Sequence, residues 1–248
     1  MKFARALLLA TLPLTLGLAA CDKKDAATGE VASAEPIAKI AAPAGKSWAE
    51  TFATTPDGGY LMGNPDAPIK VIEYGALSCS HCADFSEKGF AKLRDDYIAS
   101  GRVSYELRLF LLNALDMPAV LLATCGAPEA TIPLSEQFWG WQREMFTKMQ
   151  ANEAAMQQVN TLPPEKRFAG IAQVTGMSEF FASRGIAAAQ GATCLADTAK
   201  ATTLATRNED WAKKYDITGT PTFFINGNKA GVATWEEFEP MLQKAGAR

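Results

Sequence analysis

One stretch of the sequence decides the fold: residues 69–85, which read IKVIEYGALSCSHCADF. Its first six residues form a β-rich run of the buried-strand type, after the turn signal Gly63-Asn64-Pro65. Two cysteines, Cys79 and Cys82, come directly after this run. Apolar residues then recur at helical spacing as far as Ser100-Gly101. The stretch therefore predicts a strand, a CxxC motif and a helix in immediate succession.

The segments on the C-terminal side of this stretch predict an α/β protein. Residues 103–111 alternate as a second strand, and a strand–helix–strand unit favours parallel pairing. Residues 113–214 carry aromatic and methionine residues at helical spacing, which predicts an all-helical insertion. Such residues form a core more often than a substrate groove. The sheet resumes at residues 222–225, before the hairpin signal Asn226-Gly227-Asn228, and a last helix is expected over residues 235–245.

The start of the chain has the pattern of an export signal. Lys2 and Arg5 precede the apolar run 6–20, which at about 15 residues is short for a membrane-spanning helix. The run ends in Leu18-Ala19-Ala20-Cys21, which resembles the lipobox of bacterial lipoproteins, so we expect a lipid on Cys21. An ordinary secretory signal with a chance cysteine is the alternative. The pattern predicts a periplasmic protein anchored by lipid, at the inner membrane if Asp22 acts as a retention signal.

Composition and charge limit the domain organisation and the kinds of partner that the protein can have. The 248 residues are 48% hydrophobic and 21% charged, which suits one globular domain with an inserted subdomain. Of 24 basic side chains, the leader removes Lys2 and Arg5, so 22 face 27 acidic ones and the mature net charge is −5. A chain of this charge is poorly suited to nucleic acid, and no such partner is expected.

The mature chain begins with a segment of low hydrophobicity. From residue 22 to about residue 45 it is rich in Ala, Pro, Lys, Asp and Glu, which predicts a flexible tether. A short amphipathic helix or an oligomerisation segment is the alternative. The predicted division is a signal peptide (1–20), a tether (21–47), the N-terminal part of the α/β fold (48–112), the helical insertion (113–214) and the C-terminal part of the fold (215–248).

The CxxC motif carries the candidate chemistry. Cys79 would occupy the first turn of the helix, where free N–H groups and the helix dipole stabilise a thiolate. Cys82, one turn later, could attack a mixed disulfide formed at Cys79. His81, the single histidine of the chain, could further favour the Cys79 thiolate. Glu73, at the end of the strand, could move the Cys82 proton, or it could be a partly solvated acid.

A CxxC pair on its own allows other functions. Such a pair also forms half of a zinc site or a plain structural disulfide. Paired thiolates could bind a soft metal such as Cu(I) or Zn(II), although the chain has one histidine and no methionine cluster beside the motif. The motif alone therefore leaves redox chemistry and metal binding open.

The order of elements along the chain favours redox chemistry over metal binding. An exported chain with a strand, a CxxC motif, helices and then Gly219-Thr220-Pro221-Thr222-Phe223 resembles the DsbA-like branch of the thioredoxin superfamily over about residues 58–246. The resemblance implies a thioredoxin fold with an inserted all-helical subdomain. It also implies a cis Pro221 against the CxxC motif, a Thr220 backbone that binds substrate peptide, and a buried acid at Glu73.

The activity implied by this resemblance is thiol–disulfide exchange on cysteines of exported proteins. No cofactor and no metal is expected, and a membrane redox partner would reset the active site. The direction of electron flow is open, because Thr220 is typical of isomerases and reductases whereas His81 suits strong oxidases. We expect a disulfide donor, with an isomerase or reductase for specific clients as the alternative.

Two cysteines remain apart from the motif and the lipidation site. Cys125 and Cys194 both lie in the helical insertion, and an even number of cysteines in an oxidising compartment favours pairing. A bond between them would close a loop of about 70 residues, worth at most about 4 kcal/mol in the chain-entropy model. We interpret it as a structural disulfide. A second redox pair, or a four-sulfur metal site shared with Cys79 and Cys82, is the alternative.

Overall fold

The computed structural model describes residues 32–248, apart from the side chains of residues 164 and 165. The predicted signal peptide 1–20, the lipidation site Cys21 and the first part of the tether lie outside the described residues. The strands are β1 (Phe52–Thr54), β2 (Tyr60–Gly63), β3 (Ile69–Gly75), β4 (Val103–Leu109), β5 (Thr222–Ile225) and β6 (Asn228–Lys229).

The helices are α1 (Ser80–Phe85), α2 (Asp116–Ala123), α3 (Thr131–Ala151), α4 (Glu153–Asn160), α5 (Pro164–Val174), α6 (Met177–Ala182), α7 (Ala188–Leu195), α8 (Thr198–Tyr215) and α9 (Trp235–Leu242). Helix α1 lies between β3 and β4, α9 follows β6, and the helices between them in sequence, α2 to α8, are consecutive between β4 and β5. Short 3-10 turns occupy Trp48–Glu50 and Pro128–Ala130, and π-helical stretches occupy Ser86–Phe90, Leu93–Ile98 and Gln243–Ala247. No helix within residues 32–248 is both long enough and apolar enough to cross a membrane.

The strands form one mixed sheet in the order β1-β2-β4-β3-β5-β6. Strand β3 pairs in parallel with β4, as the sequence predicts, and antiparallel with β5 on its other side. Because β3 is flanked on both edges and one of its faces lies against the main hydrophobic core, Ile69 and Val71 have no exposed surface, whereas Lys70 on the other face is exposed. The C-terminal end of β3 delivers the chain directly into α1 and so places the CxxC motif at the edge of the sheet.

The hairpin of β1 and β2 is an element that the sequence analysis missed. The two strands pair antiparallel, and β2 continues the sheet beside β4. Each has only three or four residues, so neither gives a run long enough for period-2 alternation to be recognised.

The helical insertion lies where it is predicted. Helices α2 to α8 occupy residues 116–215, against a predicted range of 113–214. Phe138 and Met145, two of the helix-spaced residues, are fully buried, and the Phe138 ring lies 5.4 Å and 5.6 Å from the rings of Phe180 and Phe181. The interpretation of this series as core is therefore confirmed for these two residues.

The predicted flexible tether needs a correction at its C-terminal end. Ile37 donates its backbone N–H to the carbonyl oxygen of Gly246, and Ile40 donates its own to that of Ser100, each at 2.9 Å. Low hydrophobicity suggested a free segment, but these backbone hydrogen bonds hold it against the C-terminal end of the chain and the turn before β4. The folded unit thus begins before residue 48, the predicted boundary.

Candidate active site

The nucleophile candidate, Cys79, caps the N-terminus of α1. Its Sγ accepts a hydrogen bond from the backbone N–H of Cys82 at 3.4 Å and lies 3.2 Å from the carbonyl oxygen of Thr220, to which the protonated thiol donates. Neither cysteine of the motif forms a disulfide in this structure. Cys79 is 6% exposed and Cys82 is fully buried. The sulfur nearer to the surface is therefore the one at the helix end.

The two thiols differ sharply in acidity. The hydrogen bond from the Cys82 thiol, opposed by burial, lowers the pKa of Cys79 to about 6. Backbone N–H groups of Cys82 and His81 contribute to this lowering. Burial, followed by the hydrogen bond to Cys79 and the charge of Glu73, raises the pKa of Cys82 well above its usual range. Near neutral pH the pair therefore holds one thiolate at Cys79 and one proton at Cys82.

Glu73 lies buried beneath the motif, as predicted from its place at the end of β3. Its Oε2 accepts a hydrogen bond from the Tyr105 hydroxyl at 2.7 Å, and its Oε1 has no partner among the described residues. Burial raises the pKa of Glu73 to about 8, and the charge of Cys79 acts in the same direction. The side chain is thus mainly a protonated acid at neutral pH. Tyr105 was not predicted, because its pairing with Glu73 depends on the parallel register of two strands.

Two side chains of α3 fix the backbone before Cys79. The Gln142 side-chain amide donates to the carbonyl oxygens of Leu77 at 2.7 Å and Cys79 at 2.9 Å. The Trp139 indole N–H donates to the carbonyl oxygen of Ala76 at 3.0 Å. Both side chains are buried, so these carbonyl groups depend on them rather than on water.

Asp116 fixes the same loop from its other side. Its fully buried carboxylate accepts from the backbone N–H groups of Ser78 at 2.8 Å and of Leu112 and Asn113 at 2.9 Å each, and from the Ser78 hydroxyl at 3.0 Å. The insertion therefore clamps the CxxC loop to the loop after β4. The sequence analysis missed these clamp residues, although a polar residue inside an apolar helical stripe is the signal that could have identified Gln142.

The remaining candidate residues lie around Cys79. The Thr220–Pro221 peptide bond is cis, as the family resemblance implies, and Pro221 is buried. The His81 side chain is exposed and forms no hydrogen bond within residues 32–248, although its backbone N–H faces Cys79. The structure thus brings Thr220 to the motif but gives the His81 imidazole no hydrogen bond to either sulfur.

Cys125 and Cys194 form a disulfide in this structure, with their Cα atoms 5.9 Å apart. Bonded to each other, they offer no thiolates to the four-sulfur site that the sequence leaves open. Within the described residues 32–248, no group of three or more cysteine, histidine or carboxylate side chains is arranged to hold a metal ion.

A CxxC motif at the start of a helix, facing a cis-proline across the edge of a mixed sheet, defines a thioredoxin-like site. The family model described as thioredoxin matches residues 55–244, and the chain belongs to this family. The match contains strands β2 to β6 and the whole helical insertion.

Relatives and solved structures agree with this assignment. A protein of Rickettsia conorii, provisionally named a protein-disulfide oxidoreductase, is 26% identical over 204 residues, which cover 82% of this chain and 65% of that protein. Its counterpart in Rickettsia bellii is 24% identical over 67% of this chain and 56% of its own length. The chain therefore spans between a half and two thirds of the length of these curated relatives.

Two crystal structures have the same arrangement of elements. A protein-disulfide isomerase of Novosphingobium aromaticivorans matches with a TM-score of 0.69 and 26% identity, covering 74% of this chain and 94% of that chain. The α-DsbA1 protein of Wolbachia pipientis matches with a TM-score of 0.61 and 22% identity, covering 81% and 96%. The thioredoxin fold with a helical insertion, which the family resemblance implies, is confirmed.

Proposed function

We propose that this protein is a thiol–disulfide oxidoreductase that donates its Cys79–Cys82 disulfide to cysteines of exported proteins. The observation that carries the proposal is the environment of the Cys79 sulfur, which lies at the N-terminus of α1 with a pKa lowered to about 6. A stabilised thiolate favours the reduced form of the pair and makes its disulfide a stronger oxidant. The relatives named as protein-disulfide oxidoreductases support the same reaction class.

Donation proceeds in two exchanges. A client thiolate attacks Cys79 Sγ of the oxidised pair, a client–Cys79 disulfide forms, and the bond to Cys82 breaks. The departing Cys82 sulfur takes a proton from Glu73, which burial keeps protonated near neutral pH. A second client thiolate then attacks the client sulfur of the mixed disulfide, and Cys79 leaves as a thiolate. Two electrons have passed from the client to the pair, and the client holds a new disulfide.

The clamp residues and the cis-proline loop have separate tasks in this reaction. Gln142 and Asp116 hold the loop so that Cys79 stays at the helix end. The carbonyl oxygen of Thr220, 3.2 Å from Cys79 Sγ, lies where the backbone of a client can pair with it. His81 is assigned to tune the reduction potential from the solvent side of the motif, and the Cys125–Cys194 bond to stabilise the insertion.

The cellular setting is part of the proposal. The apolar leader and the lipobox-like ending support export to the periplasm and a lipid on Cys21 as the membrane anchor, at the inner membrane if Asp22 is a retention signal. A disulfide donor must be reoxidised after each turnover, so we assign it a redox partner in the same membrane. No cofactor is needed for the exchange.

An isomerase or reductase for specific clients is the second candidate. Thr220 before the cis-proline and the likeness to the Novosphingobium aromaticivorans isomerase support it. Activity assays separate the two: the oxidised protein should oxidise a reduced dithiol peptide faster than the reduced protein reduces insulin. Cys79→Ser should abolish both reactions, and Cys82→Ser should stop at a mixed disulfide. Wild-type exchange rates in Cys79→Ser would overturn the proposal.

A further inference from the structure

Glu136 is an acid of the helical insertion that the mechanism above does not use. It lies on α3, one helical turn before Trp139, and its carboxylate is hydrogen-bonded to the Ser86 hydroxyl on the helix that follows the motif. It is partly buried, and it lies on the walls of two surface grooves of about 520 and 550 Å³. The second groove also contains Ser80 and so opens beside the CxxC motif. Glu136 therefore has one side in the protein and one side facing solvent.

The unpaired oxygen of Glu73 points toward the same helix. A β-carbon built on Gly75 would lie 2.9 Å from Glu73 Oε1 and 3.1 Å from the Trp139 ring, so the oxygen and the ring are neighbours. The other oxygen of Glu73 is turned away to the Tyr105 hydroxyl. Glu73 thus has its free oxygen beside the side chain of Trp139, which lies one helical turn after Glu136 on α3.

Burial and neighbouring groups act in opposite directions on the pKa of the Glu136 carboxyl group. Burial raises the pKa of Glu136 well above its usual range, the Ser86 hydrogen bond and the Arg94 cation lower it, and the charge of Glu73 raises it. Arg94 is also paired with Asp95, which draws part of its charge away. The titratable and charged groups that face Glu136 or line its grooves are Glu50, Glu73, Asp84, Glu87, Arg94, Asp95, Tyr105 and Arg143.

We propose that Glu136, together with Ser86, is the outlet through which the buried Glu73 exchanges protons with solvent. Glu136 touches neither a sulfur atom nor the client, so it is a positioning residue that acts through Glu73. The inference rests on the proposed function. It gives the helical insertion a second task besides clamping the CxxC loop.

The outlet is needed when the reduced pair is oxidised. In the first step, the Cys79 thiolate attacks a disulfide such as glutathione disulfide, forms a mixed disulfide and releases one glutathione thiolate. In the second step, Cys82 gives its proton to ionised Glu73, its sulfur attacks Cys79 Sγ, and the second glutathione thiolate leaves. Glu73 is mainly protonated beforehand, so it must first lose that proton: Glu136, which burial also keeps protonated, releases its own proton to the groove and takes up the one from Glu73. The first step needs no such transfer.

Rapid-quench mass spectrometry of the reduced protein with glutathione disulfide measures both steps. Glu136→Gln should leave the first step within about twofold of wild type and slow the second about tenfold at pH 7. Added imidazole should restore the second step in this variant and leave wild type unchanged, since a diffusing base can replace the missing carboxylate.

Ser86→Ala, which keeps the Glu136 carboxyl group and removes its hydrogen-bond partner, should slow the second step by about threefold. Glu136→Asp should recover part of the rate.

Glu144→Gln is the matched control, because Glu144 lies on the same helix, is exposed and pairs only with Lys148. It should behave as wild type. A second step in Glu136→Gln that stays within twofold of wild type would overturn the proposal. So would equal slowing of both steps without rescue by imidazole, which indicates a structural role. A wild-type protein that forms no mixed disulfide would instead overturn the proposed function, and the outlet with it.

Discussion

Gln142 on the helical insertion donates a hydrogen bond to the carbonyl oxygen of Cys79 at 2.9 Å, so the insertion holds the residue that starts the chemistry. The same amide supports the carbonyl oxygen of Leu77 at 2.7 Å. Gln142→Leu leaves the Leu77 carbonyl buried without this donor and should lower the free energy of unfolding by about 1–3 kcal/mol. Urea denaturation of the reduced protein measures the loss.

The matched control for this variant is Gln137→Leu. Gln137 is exposed on the same helix, and its change should stay within about 0.5 kcal/mol. Equal stability losses in the two variants would show that the clamp contributes nothing specific.

The acidity of Cys79 can be measured directly. The alkylation rate of the reduced protein, followed against pH, should titrate with an apparent pKa of about 6. Cys82→Ala removes the largest cause of that lowering, so the pKa should move back toward the ordinary value of about 8.5. A wild-type pKa above about 8 would contradict the stabilised thiolate.

Glu73 should make stability depend on pH. Its folded pKa, about 8, lies above the unfolded value of 4.5, so its contribution is complete below pH 4.5 and is lost as the pH rises to 8. Glu73→Gln keeps the shape and removes the charge. It should therefore stabilise the protein by a few kcal/mol at pH 8 and by almost nothing at pH 4.

Thermal unfolding of wild type and Glu73→Gln between pH 4 and pH 8 shows whether the substitution stabilises or destabilises the protein. A variant that is less stable at pH 8 than wild type would show that Glu73 is ionised and paired in the folded state. That result would remove the buried proton donor from the mechanism.

The disulfide of the insertion should act on stability alone. Cys125→Ser combined with Cys194→Ser opens the loop and should cost up to about 4 kcal/mol of unfolding free energy. The rate of exchange between Cys79 and glutathione disulfide should stay within about twofold of wild type. Loss of turnover in a variant that remains folded by circular dichroism would identify the pair as a redox relay.

The sequence was sufficient for the parts of the fold that depend on local pattern and order. The β-rich run before Cys79 became β3, the helix-spaced residues became the insertion, and the motif before Pro221 indicated the cis-proline loop. The position of Glu73 beneath the motif could be predicted because it depends only on the direction of one strand, β3. Each of these inferences uses residues that are close in sequence or a resemblance that covers most of the chain.

Contacts between distant segments could not be predicted in the same way. Asp116 and Gln142 lie 38 and 63 residues from the loop atoms they bind, and nothing in their local pattern shows where α2 and α3 pack. The docking of Ile37 on Gly246 depends on backbone hydrogen bonds, which hydrophobicity does not reveal. The Ser86–Glu136 contact likewise requires two helices to be placed together first.

The reduction potential of the Cys79–Cys82 pair tests the central claim most directly. Equilibration with glutathione buffers of known potential, read out by alkylation of free thiols, gives the value. A disulfide donor with a stabilised Cys79 thiolate should have a potential between about −180 and −120 mV. His81→Ala should move it to a more negative value if the imidazole favours the thiolate. A wild-type potential near about −270 mV would identify a reductase and contradict the account.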